Sequence, residues 1–287
     1  MSDIRQDRDR ELGCWQLHRR VVELEDRVLA FYVRIIRPLR QRYGDEVLDI
    51  AEGLRLADGR EAGLARRALL PDGHPATALR AYLDDLASGN WSRKLACVFC
   101  MPTPERLELV ALHCPVGEAF RRMGEPEIGL SWCAFDFGFT PALGGGRLAL
   151  VEPRHYHLGH GYCFQIHQAV DDPLQGHLLM APERSGWRRY ACAAKEESPL
   201  GDLPSRARFF PNVGVDRPMD RTALEASIAT LTRCGVGGFV RLVRLLAERF
   251  GDAAFDEVET LFAEEGIPPA VLRQASAPAW RGWYWCG

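Results

Sequence analysis

Lysine is almost absent from this 287-residue sequence. Only Lys94 and Lys195 occur, so the other 34 of the 36 basic residues are arginine. The arginines are interleaved with acids, as in the run DRDRE at 7–11, and the formal net charge is −3. A nucleic-acid backbone needs an uninterrupted basic face. We therefore expect no nucleic-acid partner.

Long hydrophobic runs are also missing. No stretch reaches 18 consecutive apolar residues, and the first residues, MSDIRQDRDRELG, are too polar for the core of a signal peptide. We expect no membrane partner and a cytoplasmic protein. With 47% hydrophobic and 26% charged residues, the composition is that of a globular protein and excludes disorder.

The common signatures of hydrolases and nucleotide-binding proteins do not occur. The sequence has no GxSxG, no HExxH and no P-loop, and the glycines at 144–146 precede a predicted strand, where they indicate a turn. The nine cysteines are an odd number without an export signal, so we expect free thiols.

The apolar periodicity predicts an α+β fold. Apolar residues from Leu17 to Leu39 recur at helical spacing, 75–87 and 220–276 are also helical in pattern, and 115–124 and 127–137 predict short helices. Four apolar runs between 95 and 170 predict a mostly antiparallel sheet, with a further strand at 187–194. We expect a first domain over 1–170 and a C-terminal extension over 171–287.

Residues 33–50 and 240–257 align without gaps, and each contains Gly-Asp between two apolar stretches. The pattern predicts two helical hairpins that turn at Gly44 and Gly251. Two explanations are open: two similar amphipathic hairpins in an arginine-rich chain, or an internal duplication.

Most of the chemistry-bearing residues lie between 113 and 168. Cys133 and Asp136 are three residues apart and share a face if 127–137 is helical. A carboxylate raises the pKa of a neighbouring thiol, so His113, His160 or Arg154 would have to supply a base or a positive charge. The alternative is a thiol in the core and a carboxylate at a helix end.

Zinc binding is a second interpretation of the cysteines. Cys97, Cys100, His113 and Cys114 resemble a ligand set, but residues one or three apart on a strand face opposite sides. A second possible ligand set lacks the paired CxxC spacing of a strong zinc signature; it consists of His155, His157, His160, Cys163 and His167. We therefore expect no metal and no cofactor.

A histidine-rich segment follows. We expect His155 and His157 to share a strand, His160 to lie at a turn, and His167 to share a face with Cys163.

The same region resembles the L-2-amino-thiazoline-4-carboxylic acid hydrolase family. The resemblance covers about residues 15–170 and includes a turn of the form GF-x-P. It is carried by Cys114-Pro115, Glu118-Ala119-Phe120, Gly124, Pro126-Glu127, Cys133, Asp136, Gly138-Phe139, Pro141, Gly159 and Cys163.

The resemblance implies a ring-opening carbon–nitrogen hydrolase that acts on a small thiazoline-like or cyclic amidine heterocycle, with a specialised biosynthetic pathway as the expected setting. Cys133 and Cys163 would be catalytic together with Asp136. We expect substrate contacts from Cys114, His113, His157, His160 and Arg154. The alternative is a non-catalytic small-molecule sensor of the vinyl-reductase-domain kind, and a zinc-stabilised protein is a third interpretation.

Overall fold

The computed structural model describes residues 2–87, 95–171, 208–213, 219–234 and 239–273. Backbone contacts divide these residues into two compact units. The first unit contains 2–50, 219–234 and 239–273, and the second contains 51–87, 95–171 and 208–213. The predicted α+β class is confirmed. The predicted domain boundary at residue 170 falls inside the second unit and stays a prediction.

The first unit is helical. Its elements are α1 (Ser2–Tyr43), the first turn of α2 (Glu46–Arg67), α6 (Arg221–Cys234), α7 (Phe239–Phe250), α8 (Ala253–Glu264) and α9 (Pro269–Arg273). The apolar stripe that predicted α1 is its buried face, from Val21 to Leu39. No helix in the described ranges is long and apolar enough to span a lipid bilayer.

Both predicted hairpins are confirmed. Gly44 separates α1 from α2 and Gly251 separates α7 from α8, and both glycines adopt a left-handed backbone conformation with φ of 81° and 84°. Tyr43 and Phe250, which precede these glycines, stack with ring centroids 4.5 Å apart. The two hairpins therefore meet at equivalent positions of the repeated sequence, and an internal duplication remains a hypothesis.

The second unit contains a five-stranded antiparallel sheet in the order β3-β4-β2-β1-β5. The strands are β1 (Leu95–Thr103), β2 (Arg106–His113), β3 (Leu148–Arg154), β4 (Cys163–Ala169) and β5 (Arg208–Val213). The sequence predicts the first four of these. It does not predict β5, because Pro211 interrupts the run; an edge strand tolerates this proline. The predicted strand at 187–194 lies outside the described residues.

Helices α3 (Pro75–Ala87), α4 (Pro115–Arg122) and α5 (Pro126–Leu143) complete this unit. Cys163, Gln165 and His167 alternate along β4 and pair with Ala111, Leu109 and Leu107 of β2, so these side chains share one face of the sheet. Side chains of α5 contact the same face.

Helix α5 is held against α2 by glycines. A Cβ atom on Gly59 of α2 would lie 2.0 Å from the carbonyl oxygen of Phe135, and one on Gly138 of α5 would lie 2.0 Å from the carbonyl oxygen of Leu56. The predicted GF-x-P turn is wrong, because α5 continues through Gly138 and Pro141 to Leu143. Gly138 therefore allows the two helices to pack closely and does not form a turn.

Candidate functional site

Cys133 and Asp136 lie one turn apart on α5, as the helical spacing predicts. The side-chain amide of Gln165 on β4 donates to Asp136 Oδ2 at 3.4 Å and to Glu152 Oε1 at 3.4 Å. Glu152 is on β3 and is 1% exposed. One amide thus links a carboxylate on the helix to a carboxylate on the sheet.

Three thiols surround this pair of acids. Cys114 is the N-cap of α4, where its Sγ accepts a hydrogen bond from the Gly117 amide at 3.3 Å. Cys163 begins β4 and is buried. Burial raises the pKa of Cys163, and the neighbouring Glu152, Cys114 and Cys133 raise it further, so the three thiols lie near one another. We call Cys114, Cys133, Asp136, Glu152 and Cys163 the thiol–carboxylate cluster.

The cluster keeps its thiols protonated. Burial raises the pKa of Cys114 to about 11, and it raises the pKa values of Cys133 and Cys163 well above the ordinary thiol value. Neighbouring carboxylates raise all three further. The predicted nucleophilic role of Cys133 would need a thiolate, which these surroundings disfavour at neutral pH.

Asp136 is partly buried and keeps some accessible surface. Its side chain is half-buried, as is that of Cys133. Loss of solvent nevertheless raises the pKa of Asp136 to about 6, although hydrogen bonding from Gln165 and the charge of Arg55 oppose this rise. A carboxylate that keeps accessible surface while losing most of its hydration is suited to contact a small ligand.

Arg55 is the nearby cation, and it is already engaged. Its guanidinium packs over the ring of Trp132 at 4.2 Å and donates to Asp58 Oδ2 at 3.3 Å. Asp136 and Glu152 have no arginine or lysine hydrogen-bonded to them within the described residues. Burial, together with the charge of Asp136, raises the pKa of the buried Glu152 well above its ordinary value. The site carries an excess of acid over base.

The segment between β3 and β4 differs from the prediction. His155 follows β3 and His157 lies in a 3-10 helix, Tyr156–Leu158, so the prediction that the two histidines share a strand is wrong. Packing explains the difference: the Tyr156 ring lies over Gly117 of α4 and the His157 ring over Gly129 of α5. The Tyr156 hydroxyl also donates to Glu118 Oε2 at 2.5 Å.

Other predicted site residues lie around the cluster's edge. His157 is 8% exposed, burial lowers its pKa to about 4, and its ring contacts Phe120. His160 lies at the predicted turn, where its Nδ1 accepts from the His155 amide at 3.0 Å. His113 and Arg154 are the last residues of β2 and β3. The predicted substrate contacts of His113 and Arg154 stay predictions.

The cysteines considered for zinc are scattered. Cys97 pairs with Ala111 and Cys100 with Glu108, so these two thiols face opposite sides of β1, as predicted. Cys100 contacts Glu108 Oε2 at 3.7 Å. Cys114 follows β2 instead of lying on it, because it caps α4.

Sequence reasoning did not identify Glu152, Gln165 or Tyr82 as site residues. Glu152 interrupts the apolar run LALVEP, and Gln165 is two residues from Cys163 on the same strand face; these were the available signals. The ring of Tyr82 on α3 packs at a tilt against that of His167, with centroids 4.9 Å apart. Burial raises the pKa of the Tyr82 hydroxyl, and the charges of Asp136 and Glu152 raise it further. Nothing in its local sequence indicates this position.

His167 is expected to make the protein sensitive to acid. It shares a face with Cys163 as predicted, is 1% exposed, and burial lowers its pKa to about 3. Below pH 6.5 the unfolded chain binds a proton that the folded chain does not, so stability falls as the pH falls from 6.5 to 4, by on the order of 3 kcal/mol. Denaturant unfolding at pH 7 and pH 4 should show that His167→Gln loses less stability between these two pH values than the wild type does. The exposed His74→Gln variant should keep the wild-type loss, and equal losses in all three proteins would contradict the prediction.

Comparison with known proteins gives no match to a family model, to a curated protein or to a solved structure. The relation to the thiazoline hydrolase family is therefore a resemblance in the residues quoted above, and the function is argued from the site.

Proposed function

We propose that the thiol–carboxylate cluster binds a small cationic heterocycle of the cyclic amidine type and opens its ring by hydrolysis. The observation that carries this proposal is the link from Asp136 through Gln165 to Glu152, which holds two acidic side chains close together beside the partly exposed surface of Asp136. The nearby guanidinium of Arg55 is paired with Asp58. An amidinium supplies both the missing positive charge and N–H donors for carboxylate oxygens.

In the proposed reaction Asp136 accepts and returns the proton. Water adds to the amidine carbon and forms a carbon–oxygen bond, while its proton passes to the Asp136 carboxylate. The ring bond between that carbon and its heteroatom then breaks, and Asp136 returns the proton to the departing heteroatom. A urea-type group remains on the opened chain, and the excess proton of the bound amidinium is released to solvent.

Water is the favoured nucleophile because the thiols are protonated. In this mechanism Cys133 lies beside Asp136 as part of the binding surface, and its nucleophilic role remains the alternative. A pKa of about 6 for Asp136 is suited to accepting and returning a proton near neutral pH.

A ligand panel tests the proposal. Calorimetry with the full chain should compare L-2-amino-thiazoline-4-carboxylic acid and a 2-amino-imidazoline with the uncharged 2-methyl-thiazoline. We expect the cationic rings to bind at least about 10-fold more tightly, and mass spectrometry should detect a product heavier by one water. Equal binding of the uncharged ring, or no binding of any ring, would contradict the proposal.

A non-catalytic sensor is the second candidate. The observation that favours it is the set of three protonated thiols beside the carboxylates, which leaves no activated side-chain nucleophile. Tight binding of the cationic rings without any product would favour this candidate over hydrolysis.

A further inference from the structure

Glu152, His155 and Cys163 form a second, buried arrangement next to Asp136 and Gln165. One donor atom of each residue lies within 4.8 Å of the donor atoms of the other two, and all three side chains are buried. They come from the end of β3, the residue after it and the start of β4. The bend between these strands therefore brings a carboxylate, an imidazole and a thiol together.

We propose that Glu152, His155 and Cys163 bind a divalent transition-metal ion of the zinc type. This inference goes beyond the proposed function and departs from the expectation of a metal-free protein. A thiolate, an imidazole and a carboxylate are all ligands that zinc accepts, and three protein ligands leave a fourth position for water, as in catalytic zinc sites.

The separation of two of these atoms matches metal coordination. His155 Nε2 lies 3.6 Å from Glu152 Oε2, which is longer than a hydrogen bond. Two ligand atoms of a tetrahedral zinc ion with bonds of about 2.0–2.3 Å lie roughly 3.5 Å apart. The distance between the imidazole and the carboxylate thus already fits an ion between them, and Cys163 Sγ lies within 4.8 Å of a donor atom of each residue.

The surroundings of the three residues also suit an ion. The Tyr156 amide donates to Cys163 Sγ at 3.3 Å, and such a bond stabilises a metal-bound thiolate. The ring of His157 stacks on that of His155 with centroids 5.2 Å apart, and neither of its nitrogens has a hydrogen-bond partner within the described residues. A buried imidazole without a partner beside a group of donors is a second indication of a missing ligand.

Binding has one structural cost. His155 Nδ1 accepts a hydrogen bond from the His157 amide at 3.2 Å. Coordination through Nε2 leaves the ring proton on Nδ1, so Nδ1 can no longer accept this hydrogen bond. One neutral hydrogen bond is a small loss beside the bonds that the ion makes with a thiolate, an imidazole and a carboxylate.

Cobalt titration of the chelator-treated full chain tests this proposal. We expect one equivalent of Co²⁺ to bind and to produce the near-ultraviolet charge-transfer band of a thiolate ligand. Cys163→Ser should abolish the band, and Glu152→Gln should weaken zinc affinity by more than about 10-fold in a competition assay. Cys100→Ser, a thiol on the opposite face of the sheet, is the matched control and should keep the band.

The outcomes separate this proposal from the proposed function. Absence of stoichiometric cobalt, a cobalt complex without the thiolate band, or a band that persists in Cys163→Ser would each overturn the metal site. Circular dichroism of Cys163→Ser shows whether loss of the band is due to misfolding. X-ray absorption of the wild-type cobalt complex should independently show one sulfur ligand. A protein that binds cobalt but no cationic ring contradicts only the proposed function, whereas one that binds the ring but no cobalt overturns only the metal site.

Discussion

Replacing Asp136 with asparagine will stabilise the fold at pH 7 and weaken ligand binding. Burial raises the pKa of Asp136 to about 6 from its ordinary value of 3.8, so the ionised form is less favourable in the folded chain than in the unfolded chain. Asparagine removes that cost, and we expect a gain on the order of 3 kcal/mol at pH 7. Denaturant unfolding measures the gain.

The sign of the effect gives a pH signature. Below about pH 4 the Asp136 side chain is protonated in both states, so the variant and the wild type should differ little. Between pH 4 and pH 6, Asp136 is ionised in the unfolded chain but still largely protonated in the folded chain. The wild type therefore loses stability relative to Asp136→Asn as the pH rises through this range. The difference should then stay constant above the pKa of about 6 in the folded chain. A variant that is less stable than the wild type at pH 7 would contradict the burial of this charge.

The same substitution should weaken binding of a cyclic amidinium by about 2 kcal/mol, roughly 30-fold, because a charge-assisted hydrogen bond is lost. Turnover should fall by at least about 100-fold, since the proton acceptor is also removed. Cys133→Ser is the matched variant from the same helix face. If water is the nucleophile, it should retain turnover within about 10-fold, whereas complete loss with binding retained would restore Cys133 as the nucleophile.

The second large effect concerns the helix crossing that positions α5. Gly59→Ala would place a Cβ atom 2.0 Å from the Phe135 carbonyl oxygen, and a backbone atom of a packed helix cannot move aside cheaply. We expect a loss of about 3 kcal/mol in the free energy of unfolding, measured by denaturant titration.

Gly53→Ala in the same helix is the control. No atom lies within 4 Å of its added Cβ, so the substitution should be neutral or should stabilise by about 0.5–1 kcal/mol. Because α5 carries Cys133 and Asp136, we also expect Gly59→Ala to impair ligand binding. Equal stability of Gly59→Ala and Gly53→Ala would show that the two helices separate without cost.

The sequence predicted most elements because their patterns are local. The apolar stripe of α1, the glycines at 44 and 251, and the apolar runs of β1 to β4 each depend on residues close together in the chain. Helical spacing alone also predicted that Cys133 and Asp136 share a face. These features follow from backbone periodicity and turn chemistry, which a single sequence contains.

Tertiary packing decided the remaining features. Gly138 and Pro141 look like a turn in the sequence, but the close approach of α2 keeps them helical. His155 and His157 leave the strand pattern because the tyrosine and histidine rings between β3 and β4 pack over glycines of α4 and α5.

The partners of the candidate site residues were also decided by the fold. Asp136 meets Glu152 only through Gln165, and these three residues come from a helix and two strands. Sequence spacing constrains neighbours within one element, whereas contacts between elements depend on register and on which faces pack. The sequence therefore determined which residues could carry chemistry, and the tertiary structure decided which of them meet.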